Sequence, residues 1–293
     1  MKNKRILITG ISGLIGRETI NFLKDNDFEI VAISNNAPIA DKTIEHIKCS
    51  IFDTQSLQSF IASTKPTHLL HLAWKSTGNF NSNENYDFIS SSISMLRAFA
   101  ESGGGKVVIA GTYVEYGYNN SLLSEFSSTT SPLYTYGQCK QHLHAIAESF
   151  CKSNDISLNW GRVFSVYGHE TDPRRLTAYV VSNLKNDKEV IIKSGSLIRD
   201  YIYSKDAAEA FVCLLKSPIS GPVNICTSVA TSIRDYVLTI GKLLNKEHLV
   251  HFVDEKSDQP ERVVGDNTRL IKEFGFTPQY TLTEGLKEAL IKY

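Results

Sequence analysis

The chain has 293 residues, enough for two structural units at most, or for one large domain with a smaller one attached. Lys plus Arg and Asp plus Glu number 31 each, and the resulting zero net charge argues against a nucleic-acid binder or a clamp on an anionic membrane. Apolar runs span only a handful of residues, far short of the roughly 20 that a transmembrane helix needs.

Short apolar runs alternate with helical stretches through the first half of the chain. The predicted strands are Arg5–Ile8, Glu29–Ile33, Ile47–Phe52, His68–Ala73, Lys106–Ala110 and Ser157–Val163. The predicted helices between them are Leu14–Asp25, Ser56–Thr64, Asn85–Ser102 and Pro132–Ser153. The strands show little polar alternation, which is typical of parallel strands covered on both faces. This order predicts an α/β fold, a Rossmann-type doubly wound parallel sheet.

The alternation becomes less regular after about Gly168. Further helices are predicted over Leu176–Asn186, Asp206–Lys216, Ile233–Leu244 and Leu282–Ile291, and further strands over Val190–Lys193, Asp200–Tyr203 and Val223–Cys226. We therefore predict a dinucleotide-binding domain over residues 1–168, with a returning segment near 199–226. Most of residues 169–293 should form a smaller α+β lobe that covers the strand ends.

A glycine-rich turn joins the first strand to the first helix. Gly10 permits the tight turn, Gly13 lets the backbone approach a pyrophosphate, and Gly16 lets the helix pack closely on the sheet. The turn follows an apolar strand and begins a helix, which is the context expected of a dinucleotide-binding site. The turn residues predicted to contact the cofactor are Gly10, Ile11, Ser12, Gly13, Leu14, Ile15 and Gly16.

The end of the second strand bears on the choice between NAD and NADP. An acid there would accept the ribose hydroxyls and favour NAD, but the strand ends in Ser34 and Asn35, and the next carboxylate is Asp41. These small side chains leave room for a 2′-phosphate, although no arginine stands beside them. The sequence therefore favours NADP and leaves NAD open. The other predicted cofactor contacts are Ile51, Phe52, Asp53, Leu72, Ala73 and Val163; Asp53 is predicted either to hold the adenine amine or to cap a helix.

Two Tyr-x-x-x-Lys matches occur, Tyr136–Lys140 and Tyr201–Lys205. The second lies in a strand-like run, where side chains four residues apart stand about 13 Å from one another. The first begins a helix, so its two side chains share a face, and the Lys140 ammonium can make Tyr136 a usable proton donor or acceptor. The fifth strand brings Thr112 to the carboxyl edge of the sheet, where ligands bind. We predict that Thr112, Tyr136 and Lys140 are catalytic, and that Tyr136 and Lys140 also contact the cofactor.

Together these motifs resemble the extended short-chain dehydrogenase/reductase family, the group of nucleotide-sugar epimerases, dehydratases and ketoreductases. The resemblance covers essentially the whole chain, and it also includes His71-Leu72-Ala73, the run RVFSVYG from Arg162, the run RDYIY from Arg199 and the run FGFTP from Phe274. It implies a Rossmann domain, a smaller lobe that binds a nucleotide-diphosphate sugar, and catalysis by the three residues above. It also implies a homodimer built on two long helices per subunit.

Departures from the family pattern narrow the activity. The 4,6-dehydratases carry Asp-Glu directly after the catalytic Thr, where this chain has Tyr113 and Val114. Epimerase-reductases acting at C3 or C5 place Cys where Val114 stands and His where Glu170 stands. The resemblance therefore implies chemistry at C4 of the sugar: NAD(P)H-dependent reduction of a nucleotide-linked 4-keto-6-deoxy sugar, or 4-epimerisation with tightly bound NAD. A non-catalytic dinucleotide sensor is a third reading, and the retained Tyr and Lys argue against it.

Arg199 matches the family arginine that meets the substrate diphosphate. The residues predicted to contact substrate are Trp74, Thr112, Tyr113, Val114, Ser165, Arg174, Arg175, Leu176, Arg199 and Arg262. No HExxH occurs among the eight histidines and no CxxC pair among the five cysteines, so we predict no metal site. The odd, scattered set of cysteines indicates reduced thiols and a cytoplasmic protein.

Overall fold

Fourteen strands and nine α-helices lie in the part of the chain that the computed structural model describes, residues 4–35, 41–75, 79–117, 121–170, 172–253, 255 and 257–293. The strands are β1 (Lys4–Thr9), β2 (Phe28–Ser34), β3 (Glu45–Lys48), β4 (His68–His71), β5 (Lys106–Thr112), β6 (Leu122–Leu123), β7 (Ser157–Val163), β8 (Ser165–Tyr167), β9 (Val190–Ile192), β10 (Ile198–Tyr203), β11 (Gly221–Ile225), β12 (Ala230–Ser232), β13 (Val250–Phe252) and β14 (Arg262–Gly265). The helices are α1 (Gly16–Lys24), α2 (Thr54–Thr64), α3 (Glu84–Glu101), α4 (Thr135–Ser153), α5 (Leu176–Lys185), α6 (Ser204–Lys216), α7 (Ile233–Leu244), α8 (Thr268–Lys272) and α9 (Leu282–Ile291).

The main sheet has seven strands in the order β11-β7-β5-β4-β1-β2-β3, and every pair is parallel. From β1 the chain first builds outward through β2 and β3, and it then returns to build the other side from β4. The order therefore reverses between β1 and β4, which opens a crevice at the carboxyl ends of these two strands. The predicted Rossmann-type fold is confirmed.

Both faces of this sheet are covered, which explains why its strands lack polar alternation. Ile6 and Ile8 of β1 are fully buried in one core, together with residues of α1 and α6. Leu7, between them, is fully buried in a second core together with residues of α2, α3 and α4. Successive side chains of a strand point to opposite faces, so an apolar run is buried on both sides.

A second layer lies over the carboxyl ends of the main strands. It contains a sheet in the order β12-β10-β14-β6, in which β8 also pairs with β10, and a short pair of β9 with β13. Helices α5, α7 and α9 pack around a third core that includes Val181, Ile240 and Leu286. After β10, which stays in the second layer, the chain returns to the first layer. Helix α6 packs on α1, and β11 pairs with β7 in the main sheet.

The third strand was predicted wrongly at Ile47–Phe52, because it spans Glu45–Lys48. This strand lies at the edge of the sheet, where it pairs only with β2 among the described strands, and its side chains are exposed or half-buried. The apolar residues that suggested a strand lie in the following loop, where Ile51 is buried in the core beside α2 and α3. A loop residue that is buried in the core thus made the sequence of this segment look like a strand.

Candidate active site

The turn between β1 and α1 passes too close to neighbouring backbone to carry side chains at two of its glycines. Gly10 has a φ of +76°, and a Cβ there would lie 2.7 Å from the backbone nitrogen of Ala73. A Cβ on Gly16 would lie 2.2 Å from the carbonyl oxygen of Gly10. The residue before α1, Ile15, makes no side-chain hydrogen bond to the first amides of the helix. The turn therefore leaves room for the phosphates of a dinucleotide to approach the backbone at the positive end of α1.

This turn forms one wall of a cavity of about 630 Å³ at the carboxyl edge of the main sheet. Ten of the predicted cofactor residues line it: Gly10, Ser12, Gly13, Leu14, Ile15, Gly16, Leu72, Tyr136, Lys140 and Val163. Ile11 is instead buried in the core beneath the turn. The volume is in the range of small-molecule and cofactor sites, and the cavity lies in the crevice that the strand order creates.

The three predicted catalytic side chains meet in this cavity. Tyr136 and Lys140 lie one turn apart on α4, and the phenol hydroxyl of Tyr136 lies close enough to the side chain of Thr112, the last residue of β5, for hydrogen bonding to lower its pKa. The Nζ of Lys140 donates a hydrogen bond to the carbonyl oxygen of Ala110 at 2.7 Å. The exposed fractions of Thr112, Tyr136 and Lys140 are 5%, 7% and 2%. The site is therefore almost closed to bulk water.

Burial changes the protonation of two of these groups. It raises the pKa of Tyr136 well above its ordinary value, against the opposing effect of the hydrogen bond with Thr112. It lowers the pKa of Lys140 to about 7, against the opposing effect of the nearby Glu115 carboxylate. Tyr136 consequently keeps its proton at neutral pH. A protonated phenol at this place can donate a proton to a substrate oxygen.

A buried ion pair fixes the strand end that carries Thr112. The carboxylate of Glu115 is fully buried, and it accepts hydrogen bonds from the backbone nitrogen of Thr112 at 2.9 Å and from Nε of Arg162 at 2.7 Å. The indole of Trp160 donates to the same carboxylate at 2.9 Å. Sequence reasoning gave Glu115 no role, although Thr-x-x-Glu is the spacing of a capping box, which the structure contains.

The two residues after Thr112 place no acid in the cavity. Tyr113 and Val114 both line it, and they begin a single 3₁₀ turn over Tyr113–Tyr116. The next residue, Glu115, is the acid held in the buried ion pair. The two residues that follow Thr112 in the chain therefore bring no carboxylate to the cavity.

Ser34 ends β2 outside the lining of this cavity, and its hydroxyl lies 3.0 Å from Nε2 of His46 on β3. Asn35 follows with an exposed side chain. His46 was not identified from the sequence, because the pairing of β2 with β3 is needed to bring it next to Ser34.

Of the two roles predicted for Asp53, the described contacts show the helix cap. Its side chain caps α2 by accepting a hydrogen bond from the backbone nitrogen of Ser56 at 3.1 Å, and hydrogen bonds from Ser56 lower the pKa of this carboxyl. Ile51, Phe52, Asp53 and Ala73 all lie outside the cavity lining.

Most of the predicted substrate residues line the cavity: Trp74, Thr112, Tyr113, Val114, Ser165, Arg175, Leu176 and Arg199. The buried guanidinium of Arg199 donates to the carbonyl oxygens of Ile198 and Pro260 and to the side-chain oxygen of Gln259. Arg174 and Arg262 lie outside the lining. Arg174 is exposed and pairs with Asp172 at 2.6 Å.

Several residues that were not predicted to contact cofactor or substrate also line the cavity, among them Arg17, Phe80, Glu170, Thr177, Tyr201 and Tyr236. Tyr201 stacks on Tyr236 with 4.0 Å between ring centroids. Its motif partner Lys205 instead donates to Glu288 at 2.7 Å. The two residues of the second Tyr-x-x-x-Lys match thus contact different elements, Tyr201 a ring of α7 and Lys205 a carboxylate of α9.

The profile of the NAD dependent epimerase/dehydratase family matches residues 6–226. The chain belongs to this family.

Within the described ranges, no helix combines the length and apolar character needed to cross a bilayer, and His, Cys, Asp and Glu side chains form no group of three or more that could hold a metal ion.

Individual family members share the fold along nearly the full length of the chain. It is 23% identical over 302 residues to UDP-glucuronic acid decarboxylase 1 of Danio rerio, covering 98% of this chain and 72% of the relative. It is 22% identical over 317 residues to UDP-glucose 4-epimerase of Rhizobium meliloti, covering 96% and 94%. The crystal structure of UDP-glucose 4-epimerase from Thermotoga maritima with UDP-glucose superposes with a TM-score of 0.90 at 21% identity, covering 98% of both chains.

Proposed function

We propose that this protein reduces the 4-keto group of a nucleotide-linked 4-keto-6-deoxy sugar with NAD(P)H. The observation that carries the proposal is the arrangement at the end of β5, where a protonated, buried Tyr136 lies beside Thr112 and shares a helix face with Lys140. This arrangement can hold a carbonyl oxygen and protonate it. Tyr113 and Val114 stand where the related dehydratases have the acids for eliminating water.

A nicotinamide dinucleotide fits the residues of the glycine turn. Gly10 and Gly16 carry no side chains where the turn passes closest to neighbouring backbone. No side chain forms a cap on the first amides of α1. These amides would hold the pyrophosphate, and the bound cofactor would supply the hydride. Ser34 and His46 stand where an NAD-specific site would have an acid, so we propose NADPH as the preferred cofactor.

The nucleotide sugar would occupy the rest of the cavity. Arg199 has its guanidinium held by three acceptors of the chain itself, which fixes a positive charge where a diphosphate is expected. Arg175 is a second cation on the same cavity. Trp74, Tyr113, Ser165 and Leu176 would surround the sugar, and their rings and small polar groups suit a ring with few charged substituents.

The chain's own residues account for the proton. The Tyr136 hydroxyl donates its proton to the C4 oxygen, and the Thr112 hydroxyl donates a second hydrogen bond to the same atom. The phenolate that remains is stabilised by the Lys140 ammonium. Because burial excludes water from all three groups, these electrostatic interactions are stronger than they would be in solution.

A second candidate function is 4-epimerisation of a nucleotide sugar with tightly bound NAD. It is favoured by the UDP-glucose 4-epimerases of Rhizobium meliloti and Thermotoga maritima, which share the fold over nearly the whole chain. The same three residues would serve both reactions. The two candidates differ in stoichiometry, since only the reductase consumes one cofactor for each sugar.

The deciding experiment follows NADPH absorbance together with NMR spectra of the product in heavy water. Reduction predicts one NADPH oxidised for each sugar, with the configuration at C3 and C5 retained and no deuterium at those carbons. Inversion of a 4-hydroxyl without cofactor consumption would establish the epimerase. Deuterium at C3 or C5 would contradict both candidates.

A further inference from the structure

The ammonium group of Lys140 lies over the indole ring of Trp74, 3.9 Å from the ring centroid. Its one hydrogen bond among the described contacts goes to the carbonyl oxygen of Ala110. Because the Lys140 side chain is buried, water contributes little to the stability of its charge. The negative face of the indole is therefore an important partner of this cation, and such contacts are strongest when they are shielded from water.

Two contacts from α3 fix the plane of the indole. Nε1 of Trp74 donates a hydrogen bond to the side-chain oxygen of Asn85 at 3.0 Å. The indole stacks on Phe88, with 4.8 Å between centroids and 19° between planes. Asn85 is itself buried and donates to the carbonyl oxygen of Ser82 at 2.8 Å. The face that meets Lys140 is thus held by the helix rather than by the loop alone.

Two titratable groups act electrostatically on Lys140, Glu115 and His71, and Tyr136 lies one helical turn away on α4. The Glu115 carboxylate favours the ammonium, but it is already paired with a buried guanidinium. Burial lowers the pKa of His71 to about 3, so this imidazole is neutral. Tyr136 is protonated in the free enzyme. Of the groups in contact with the ammonium, Trp74 is thus the side chain that favours its charge.

We propose that Trp74 is a positioning residue for the catalytic lysine, whose indole face keeps the Lys140 ammonium charged and in place beside Tyr136. The kinetic part of this inference rests on the proposed reductase function, whereas the electrostatic part holds for any reaction that uses this lysine. Burial already lowers the pKa of Lys140 to about 7. Loss of the cation–π contact should lower it by about one further unit.

The test replaces Trp74 in the full chain and titrates the lysine side chains by carbon NMR of the Cε positions, without cofactor. Lys140→Met identifies the signal. In Trp74→Leu, Lys140 should titrate about one pH unit below the wild type, and Trp74→Phe should fall between the two because benzene has the weaker π face. Phe252→Leu is the matched control, since it removes a ring that holds Arg234 at the same 3.9 Å in the other layer.

Kinetics give a second readout. In Trp74→Leu, kcat at pH 8 should fall by about tenfold and recover towards the wild-type value near pH 6, as one unit of pKa requires. An unchanged titration of Lys140 in Trp74→Leu and Trp74→Phe would overturn the inference, and so would an equal loss of kcat at both pH values. Wild-type enzyme that turns over no nucleotide-linked keto sugar would contradict the proposed function alone, and the NMR titration would still decide the role of Trp74.

Discussion

The ring of Phe80 stacks on that of Tyr136, with 5.3 Å between centroids and 22° between planes. The carbonyl oxygen of Phe80 also accepts a hydrogen bond from the backbone nitrogen of Tyr136 at 2.8 Å. One residue thus covers the phenol and secures the first turn of α4. Both contacts contribute to the burial that keeps Tyr136 protonated.

Tyr136→Phe should lower kcat by at least the factor of about 10²–10⁴ that a placed proton donor supplies. Cofactor affinity should change little, because the phenol touches no predicted phosphate contact. The measurements are steady-state turnover and a fluorescence titration with NADPH. Tyr134→Phe, two residues earlier and outside the cavity lining, is the matched control and should retain activity. Equal losses in the two variants would contradict the role of Tyr136.

Ser34→Asp should reverse the cofactor preference from NADPH to NADH. The new carboxylate would repel a 2′-phosphate and accept hydrogen bonds from the ribose hydroxyls. The measurement is kcat/KM with each cofactor in both proteins. Asp53→Asn, which keeps an oxygen to cap α2, should leave the ratio of the two values unchanged. A wild type that prefers NADH, or that is purified with tightly bound NAD, would favour the epimerase instead.

Glu115→Ala should lower the free energy of unfolding by about 3–5 kcal/mol, since it leaves the Arg162 guanidinium buried without its counter-ion. It should also lower kcat, because the backbone of Thr112 loses an acceptor. Urea denaturation and turnover check the two effects. Glu255→Ala breaks an exposed pair with Lys193, and it should change stability by less than about 1 kcal/mol. A small effect at Glu115 would show that the network does not hold the strand end.

Acid should destabilise the fold through His71. Burial lowers the folded-state pKa of His71 from its ordinary value of 6.5 to about 3, so below pH 6.5 the unfolded chain binds a proton that the folded chain does not. The free energy of unfolding should therefore fall by about 2 kcal/mol between pH 7 and pH 5 from this residue alone. Urea denaturation at both pH values should show a smaller difference for His71→Asn. The exposed His142→Asn should retain the wild-type difference, and a wild-type difference in His71→Asn would contradict the assignment.

We propose that the protein forms a homodimer through α3 and α4. The two helices pack side by side, and each leaves a large apolar side chain exposed, Tyr86 and Ile146. Ile146→Asp should convert the dimer to a monomer in sedimentation or light-scattering experiments, because a carboxylate is costly in an apolar interface. Ile291→Asp, at a more exposed position on α9, should remain dimeric. A monomeric wild type would disprove the proposal.

Local spacing explains what the sequence could predict. The glycine turn is set by residues within one strand-to-helix connection, and Tyr136 and Lys140 meet because any helix brings positions four apart together. The apolar strands revealed the fold, since burial on both faces removes polar alternation. The third strand was misplaced because Ile51 is buried from a loop.

Pairings between distant segments explain the rest. Arg162 reaches Glu115 because β5 and β7 are neighbours in the sheet, and His46 reaches Ser34 because β2 pairs with β3. Trp74 meets Lys140 across a gap of more than sixty positions, after two helices have formed. Periodicity and motif spacing contain no information on such contacts.

Arg199 is connected through α6 to α1, the helix that follows the glycine turn. Arg199 lies on β10, which belongs to the outer layer, and α6 follows directly at Ser204 without a loop and packs against α1. We expect β10 and α6 to move as one rigid unit, because Tyr203 and Ser204 at their junction are both buried. A movement of the outer layer would carry Arg199 and strain the contact of α6 with α1. We therefore expect the distance between Arg199 and the glycine turn to change little when a ligand enters the cavity.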